Sequence, residues 1–232
     1  MIKGMINRIR YGNKASSDIY INYLRSIGVK VGDGVRFFAP MTNTIDIQNP
    51  YMIEIGNNVR ITKGVIILTH DYSWSVLSGI EGEVYGAISK VCIGNNVFIG
   101  INSIILRGVN IGDNVIIGAG SVVSKDCKSN AVYAGNPAKF IMSIEEFYIR
   151  RKKAQISEAR DLAITYNKKT GENPSEDTME EYFSLYTNLN EVKSTKIIER
   201  IKRTGYYDLC IRNYQNKEPI FKNLDDFLSS IK

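Results

Sequence analysis

Residues 93–128 read, in blocks of six, IGNNVF, IGINSI, ILRGVN, IGDNVI, IGAGSV, VSKDCK. An aliphatic residue opens every block: Ile93, Ile99, Ile105, Ile111, Ile117 and Val123. Glycine follows in four of them, at 94, 100, 112 and 118. The fifth place is small or β-branched: Val97, Ser103, Val109, Val115, Ser121 and Cys127. Six is not a multiple of the helical period, so this repeat cannot be α-helical. It fits a short strand plus a corner, where Gly, Asn and Asp tolerate positive φ. The opener and the fifth residue then point inward and stack on their equivalents one coil away. Each coil is too thin to hold a core alone, so neighbours supply the stability. A β-sandwich would share the alternation but not a spacing of six held across six blocks. The reading is a mainly β protein built on a parallel β-helix.

The same register extends upstream through Val31, Phe37, Asn43, Asn49, Ile55, Ile61 and Ile67, with two Asn openers as its weak points. Before it, residues 16–28 (SSDIYINYLRSIG) predict a helix with Ser16, Ser17 or Asp18 as N-cap and Gly28 as stop. Ile19, Tyr23, Leu24 and Ile27 form its expected apolar face, which would cap the open first coil. Beyond residue 142 the hexads cease. IEEFYIRRKKAQISEARDLAITYNKK has helical spacing, TGENPSED breaks it, and further helical runs are expected around 178–189, 194–203 and 221–231. The organisation is an N-terminal segment (1–28), a hexapeptide-repeat body (29–142) and a helical C-terminal appendage (143–232).

The period lapses once inside the body. Ile67 and Ile93 are 26 apart, so residues 69–90 must leave the helix as a loop. A loop on a rigid scaffold is a common seat of function. This one carries the sole histidine, His70, with Asp71, Tyr72 and the sole tryptophan, Trp74. Histidine is the side chain best suited to accept a proton near neutral pH. Asp71 either orients His70 or is a solvated loop residue. One histidine is too few for a zinc site, so no metal is expected.

Composition narrows the classes further. The 44% hydrophobic share suits a soluble core, and no run of eighteen apolar residues suggests a membrane span. No apolar block with a cleavage site follows the basic N-terminus, so a cytoplasmic protein is expected. Cys92, Cys127 and Cys210 are too scattered for a disulfide framework. The net charge of +6 suits an anionic partner: a phosphorylated cofactor, an acidic glycan or a membrane surface. No basic stripe interleaved with aromatics points to nucleic acid.

The repeats, the segment THDYS (69–73) and the ending IGAGSVVSKD…AVYAGNPAKFI resemble the hexapeptide-repeat acyltransferases. The similarity is greatest to the branch with galactoside and maltose O-acetyltransferases and O-acetyltransferases of surface polysaccharides. It covers about residues 16–142. The repeat alone specifies fold; the His loop with GAGS and AGNPAK is more specific. The resemblance implies a left-handed coil, a homotrimer and acetyl-CoA bound along the coils between two subunits. It implies direct transfer to a sugar or oligosaccharide hydroxyl with His70 as base and a backbone N–H stabilising the oxyanion. Asn43 matches, loosely, an asparagine that places the acceptor, and Asp71 and Trp74 belong to the same candidate acceptor set. Phe98 stands where an aromatic walls the pantetheine tunnel. Gly100, Ile101, Ala119 and Ser124 match positions that contact coenzyme A, and Lys125 and Lys139 match basic residues near its phosphates.

Each has a plainer reading: Asn43 a corner, Phe98 outer packing, the lysines surface charge. Amino-sugar-nucleotide N-acetylation and antibiotic acetylation share the fold and donor. A non-catalytic trimeric scaffold is the reading from another class. The run RRKK (150–153) suits either peripheral contact with membrane lipid or a solvated helix face.

Overall fold

The computed structural model describes residues 2–187 and 194–231, with side chains from residue 6 onward. The chain divides into two compact units, Met1–Phe147 and Tyr148–Lys232. The first unit opens with helices α1 (Ile2–Tyr11) and α2 (Ser17–Ser26) and then winds into coils of three short strands. The first coil holds β1 (Lys30–Val31), β2 (Arg36–Phe37) and β3 (Thr44–Ile45). The second holds β4 (Ile53–Ile55), β5 (Arg60–Ile61) and β6 (Ile66–Ile67). The third holds β7 (Val91–Ile93), β8 (Phe98–Ile99) and β9 (Ile104–Ile105). The fourth holds β10 (Asn110–Ile111), β11 (Val115–Ile117) and β12 (Val122–Val123). Strands β13 (Ala131–Ala134) and β14 (Lys139–Ser143) close the stack as an antiparallel pair.

Strands at the same place in successive coils pair in parallel, giving the faces β1-β4-β7-β10, β2-β5-β8-β11-β13 and β3-β6-β9-β12. Three parallel faces wrapped by one chain make a parallel β-helix and support the left-handed coil implied above. The openers stack as expected: Ile55, Ile93 and Ile111 on one face; Ile61, Ile99 and Ile117 on the next; Ile67, Ile105 and Val123 on the third. All are buried. Each fully buried isoleucine contributes roughly 1.5–3 kcal/mol of apolar transfer. Ser103 and Ser121, also inside, both donate to the Gly118 carbonyl (3.0 and 2.6 Å), so neither hydroxyl is orphaned. Asn58, Asn96, Asn114 and Asn130 take the left-handed corner conformation (φ 54–60°). Side-chain amide bonds link Asn96 to Asn114 (2.8 Å) and Asn114 to Asn130 (2.9 Å) up that edge.

The upstream register differs from expectation. Asn43 and Asn49 do not open blocks; Ile45 pairs with Ile67, and Ile55 with Val31. Short 3₁₀ turns beginning at Pro40 and Pro50 lengthen two corners of the first coil. Proline presets φ for such turns and has no N–H to give a sheet. The six-residue count therefore fails between Phe37 and Ile55. In the corrected register Asn43 falls in the column of fifth-place residues with Val65, Ser103 and Ser121.

Helix α2 begins as expected, with the Ser16 hydroxyl accepting from Ile19 N (3.3 Å). Its buried face is Tyr20, Ile21 and Leu24, rotated from the expected one; Ile19 is half-exposed. Tyr20 meets Phe37 edge to face (5.0 Å), which seats α2 on the first coil's core. The loop 68–90 is not irregular throughout. Its base closes as an antiparallel bridge between His70 and Ile88, and its tip carries α3 (Ser75–Glu81), ended by left-handed Gly82.

The second unit contains most of α4 (Ile144–Thr170), a 3₁₀ helix (Glu180–Leu185), α5 (Thr195–Thr204), α6 (Tyr207–Gln215) and α7 (Leu224–Ser229). Of the run expected at 178–189, residues 188 and 189 lie outside the described residues. One core joins Ala159 and Ala163 of α4 to Met179, Leu185, Tyr186, Phe227 and Leu228; a second joins Phe183, Ile197 and Ile201. No helix among the described residues is long and apolar enough to cross a membrane.

Candidate active site

Strand β6 ends at Ile67, and the next residues turn the corner into the loop. There His70 Nδ1 lies 2.5 Å from Asp46 Oδ2. The His70 side chain is 35% exposed and the Asp46 side chain 4%. Asp46 follows Ile45, which pairs with Ile67, so the carboxylate arrives at this corner from the coil before. Its Oδ2 also accepts from Thr69 N (3.0 Å) and Thr69 Oγ1 (2.5 Å), and its Oδ1 from Gln48 N (3.0 Å). Burial alone would raise the Asp46 pKa. The bonds from the Thr69 hydroxyl, the two backbone N–H groups and His70 outweigh it and bring the pKa down to about 2. An ionised carboxylate can only accept, so Nδ1 carries a proton, and in the neutral imidazole the lone pair is left on Nε2. A histidine fixed this way has the geometry to accept a proton at a solvent-facing corner.

Asp71 does not serve His70. It accepts from Ser73 N (2.9 Å) and Ser73 Oγ (2.5 Å) and pairs with Arg107 Nε (2.5 Å). The Ser73 hydroxyl first, then Arg107, holds its carboxyl well below the usual range. This pair ties the loop's first turn to the following coil. Trp74, immediately before α3, is half-exposed, with its ring 4.6 Å from that of Tyr72. Asn43, expected near the acceptor, is instead 1% exposed inside the coil. Its Nδ2 donates to the Thr62 carbonyl (2.6 Å), and its Oδ1 has no partner. The inward position set by the 3₁₀ turn at Pro40 removes it from the solvent-facing set.

The residues expected to hold coenzyme A lie along two edges of the β3-β6-β9-β12 face. On one edge Gly100, Ile101 and Ala119 turn between β8 and β9 and between β11 and β12, with Gly120 N donating to the Ile101 carbonyl (2.7 Å). Phe98 precedes them, facing outward and 41% exposed. A Cβ on Gly100 would meet Ala119 N at 2.5 Å, so only glycine lets these corners stack. Lys139 pairs with Ala134 in the closing strands, and neighbouring Ala138 N donates to the Val122 carbonyl (2.8 Å), so the lysine stays beside this face. Ser124 and Lys125, both exposed, leave β12 on the other edge, two coils beyond the corner of His70. The structure thus brings His70 together with Asp46 and Thr69. It does not bring Phe98, Ile101 or Ala119 into contact with them within one chain.

The model for bacterial transferase hexapeptide (six repeats) matches residues 93–125. Protein CapG of Staphylococcus aureus is 46% identical over 148 residues, 63% of this chain and 82% of that protein. The chain belongs to the hexapeptide-repeat transferases. Galactoside O-acetyltransferase of Escherichia coli (strain K12) is 33% identical over 161 residues, covering 68% of this chain and 75% of its own. A solved galactoside acetyltransferase in complex with coenzyme A is 26% identical over 65% of this chain and 82% of its own, with a TM-score of 0.44. As a hexapeptide-repeat transferase with relatives of this kind, the protein is an acyltransferase.

In this transferase the residue bonded to His70, Asp46, is not one that the sequence pattern singles out. The upstream sequence masks it: with Asn43 and Asn49 as openers, Asp46 falls mid-block as one more corner residue. With Ile45 as opener, it follows the strand and reaches the corner of His70. A proline at each lengthened corner was the available signal. Cys127 stays out of the chemistry, because burial pushes its thiol up to about 12.

Proposed function

We propose that this acyltransferase moves an acetyl group from acetyl-CoA to a sugar hydroxyl in surface-polysaccharide synthesis, with His70 as general base. The observation that carries the reading is the Asp46–His70 pair, buried at its carboxylate and open at its imidazole. Nε2 removes the acceptor proton as the acceptor oxygen bonds to the thioester carbon. The proton then goes to the departing sulfur, so His70 ends as it began. Asp46 is a positioning residue: it fixes the tautomer and favours the transient imidazolium.

The residues fit the donor. Outward Phe98 and Ile101 offer an apolar wall to the pantetheine arm, the Gly100 and Ala119 corners offer backbone groups, and Lys125 and Lys139 offer cations to phosphates. One of the sequence relatives named above, a galactoside O-acetyltransferase, supports O-acetylation. A homotrimer agrees with two features. The two edges of the β3-β6-β9-β12 face carry different halves of the machinery. The loop also exposes Val76, Leu77, Ile80, Val84 and Tyr85, an apolar set that suits burial against a second copy. Acetyl-CoA as donor also suits the cytoplasm. The test is thiol release from acetyl-CoA across sugars, sugar nucleotides, oligosaccharides and amino sugars, with wild type beside His70→Ala. One hydroxyl acceptor that drives turnover, lost in a variant that still binds coenzyme A, supports the reading. Turnover only with amines overturns the O-acetyl part, and absence of acetyl-CoA binding overturns the whole.

A further inference from the structure

The second unit contains a cavity of about 380 Å³ whose lining includes none of the residues assigned to acetyl transfer. That volume lies in the lower part of the range of small-molecule pockets, roughly 300–1,000 Å³. One wall is a single stripe of α4: Tyr148, Arg151, Lys152 and Gln155 recur at the three- and four-residue spacing that shares a helix face. Only the middle two residues of the RRKK run line it. The opposite walls come from three other elements: Glu181, Tyr182 and Ser184 of the 3₁₀ helix, Arg200 of α5, and Asn213 and Tyr214 of α6. Lys217 stands just past the end of α6. Four successive elements of the second unit contribute to the wall, so the cavity is a product of their packing.

Its groups fall into three chemical sets. Arg151 is held by a two-bond pair with Glu158 (2.7 and 2.7 Å), and Arg200 by Glu181 (3.0 Å). These pairs neutralise each other. Among the described residues, Lys152 and Lys217 have no acidic partner, so the lining keeps a surplus of two positive charges. The second set is polar and neutral. Gln155 Nε2 donates to Ser184 Oγ (2.7 Å), which leaves the Gln155 carbonyl and the Asn213 amide for hydroxyl groups. The third set is aromatic. Tyr148 presents a ring that is 63% exposed, while Tyr214 is fixed by an edge contact with Phe183 (5.3 Å).

An open aromatic ring accepts the C–H face of a sugar, amides read its hydroxyls, and unpaired ammonium groups take an acid group. We propose that this cavity binds an acidic saccharide, a sugar bearing a phosphate or a carboxylate. A lipid headgroup surface is the weaker fit. It would call for a continuous basic face, whereas Arg150 and Lys153 of the run lie outside the lining and the basic groups sit in a concavity. The proposal rests on the second unit alone and does not depend on the role of His70.

The test is calorimetric titration of the full-length protein with glucose 1-phosphate, methyl glucuronide, methyl glucoside and inorganic phosphate, at low and high salt. The expected result is binding of at least one acidic sugar about tenfold or more tighter than methyl glucoside and than phosphate, the size of one charge-assisted contact. The double change Lys152→Gln, Lys217→Gln should weaken it by about tenfold or more while thiol release from acetyl-CoA is unchanged. Tyr148→Ala should weaken both acidic and neutral sugars. Glucose 1-phosphate and methyl glucuronide give the phosphate and carboxylate arms, and tighter binding of either identifies the acid group. Equal binding of inorganic phosphate would reduce the site to a simple anion contact and overturn the saccharide reading. So would no sugar binding up to about 10 mM, or affinity indifferent to the lysines. Recruitment to phosphatidylglycerol vesicles through the same lysines, without sugar binding, would overturn it in favour of a lipid surface.

Discussion

Replacing Asp46 by asparagine separates a catalytic geometry from a merely structural one. Oδ2 accepts three hydrogen bonds, from Thr69 N, Thr69 Oγ1 and His70 Nδ1, and Oδ1 accepts one from Gln48 N. Asparagine keeps one acceptor oxygen and substitutes an NH₂ for the other. With the oxygen toward Thr69 and His70, the NH₂ faces the Gln48 N–H, donor to donor. With the amide turned over, the NH₂ faces His70 Nδ1 and forces that nitrogen to accept, so Nε2 carries the proton and cannot act as base. Either choice loses bonds to a buried charge worth about 1.5–3 kcal/mol in the favourable case. At about 1.4 kcal/mol per decade this predicts a fall in kcat of roughly 10–10²-fold, with KM for acetyl-CoA little changed. His70→Ala, which removes the proposed base, should cost about 10²–10⁴-fold. The assay is steady-state thiol release with the acceptor identified from the sugar panel, alongside thermal melting. If Asp46→Asn melts earlier yet keeps wild-type kcat, Asp46 anchors the corner and nothing more. The positioning argument then fails.

Acid should act through the same residue. The Asp46 pKa is depressed to about 2, against about 3.9 for an unfolded aspartate. Its contribution is therefore full above the unfolded value and is lost as pH falls toward 2. Urea midpoints measured between these pH values should fall in wild type and be flatter in Asp46→Asn. Gly100→Ala should destabilise the repeat by about 2 kcal/mol or more, because its Cβ would lie 2.5 Å from Ala119 N, a backbone atom that cannot yield; denaturant unfolding reads this. Arg107→Ala frees Asp71 and should speed proteolysis within 72–87 while the melting temperature of the repeat stays put, since the coils do not depend on that exposed pair. Phe98→Ala should raise KM for acetyl-CoA several-fold without lowering stability, because the ring faces outward; an unchanged KM would place the donor elsewhere.

Much of this protein is local. A six-residue period specifies strand, corner and inward column within each block, so residues 93–128 determine their own coils without reference to the rest. The positive φ of the corner asparagines, the single histidine and the departure of the loop after Ile67 are likewise legible in the chain. What one coil presents to the next is not local. It depends on how many residues each corner absorbs, and the prolines at 40 and 50 lengthen two corners of the first coil. That offset put Asn43 inside, moved Asp46 to the corner, and gave His70 a partner 24 residues away rather than its neighbour Asp71. The cavity of the second unit has the same origin. The stripe on α4 is readable as a helix face, but Arg200, Asn213 and Tyr214 join it only because the buried side chains of α5 and the 3₁₀ helix dock those elements there. Hydrogen-bonded strands and helices are chosen by neighbours in sequence. Which side chains meet is chosen by packing, where one inserted residue at a corner changes the partner of a charge.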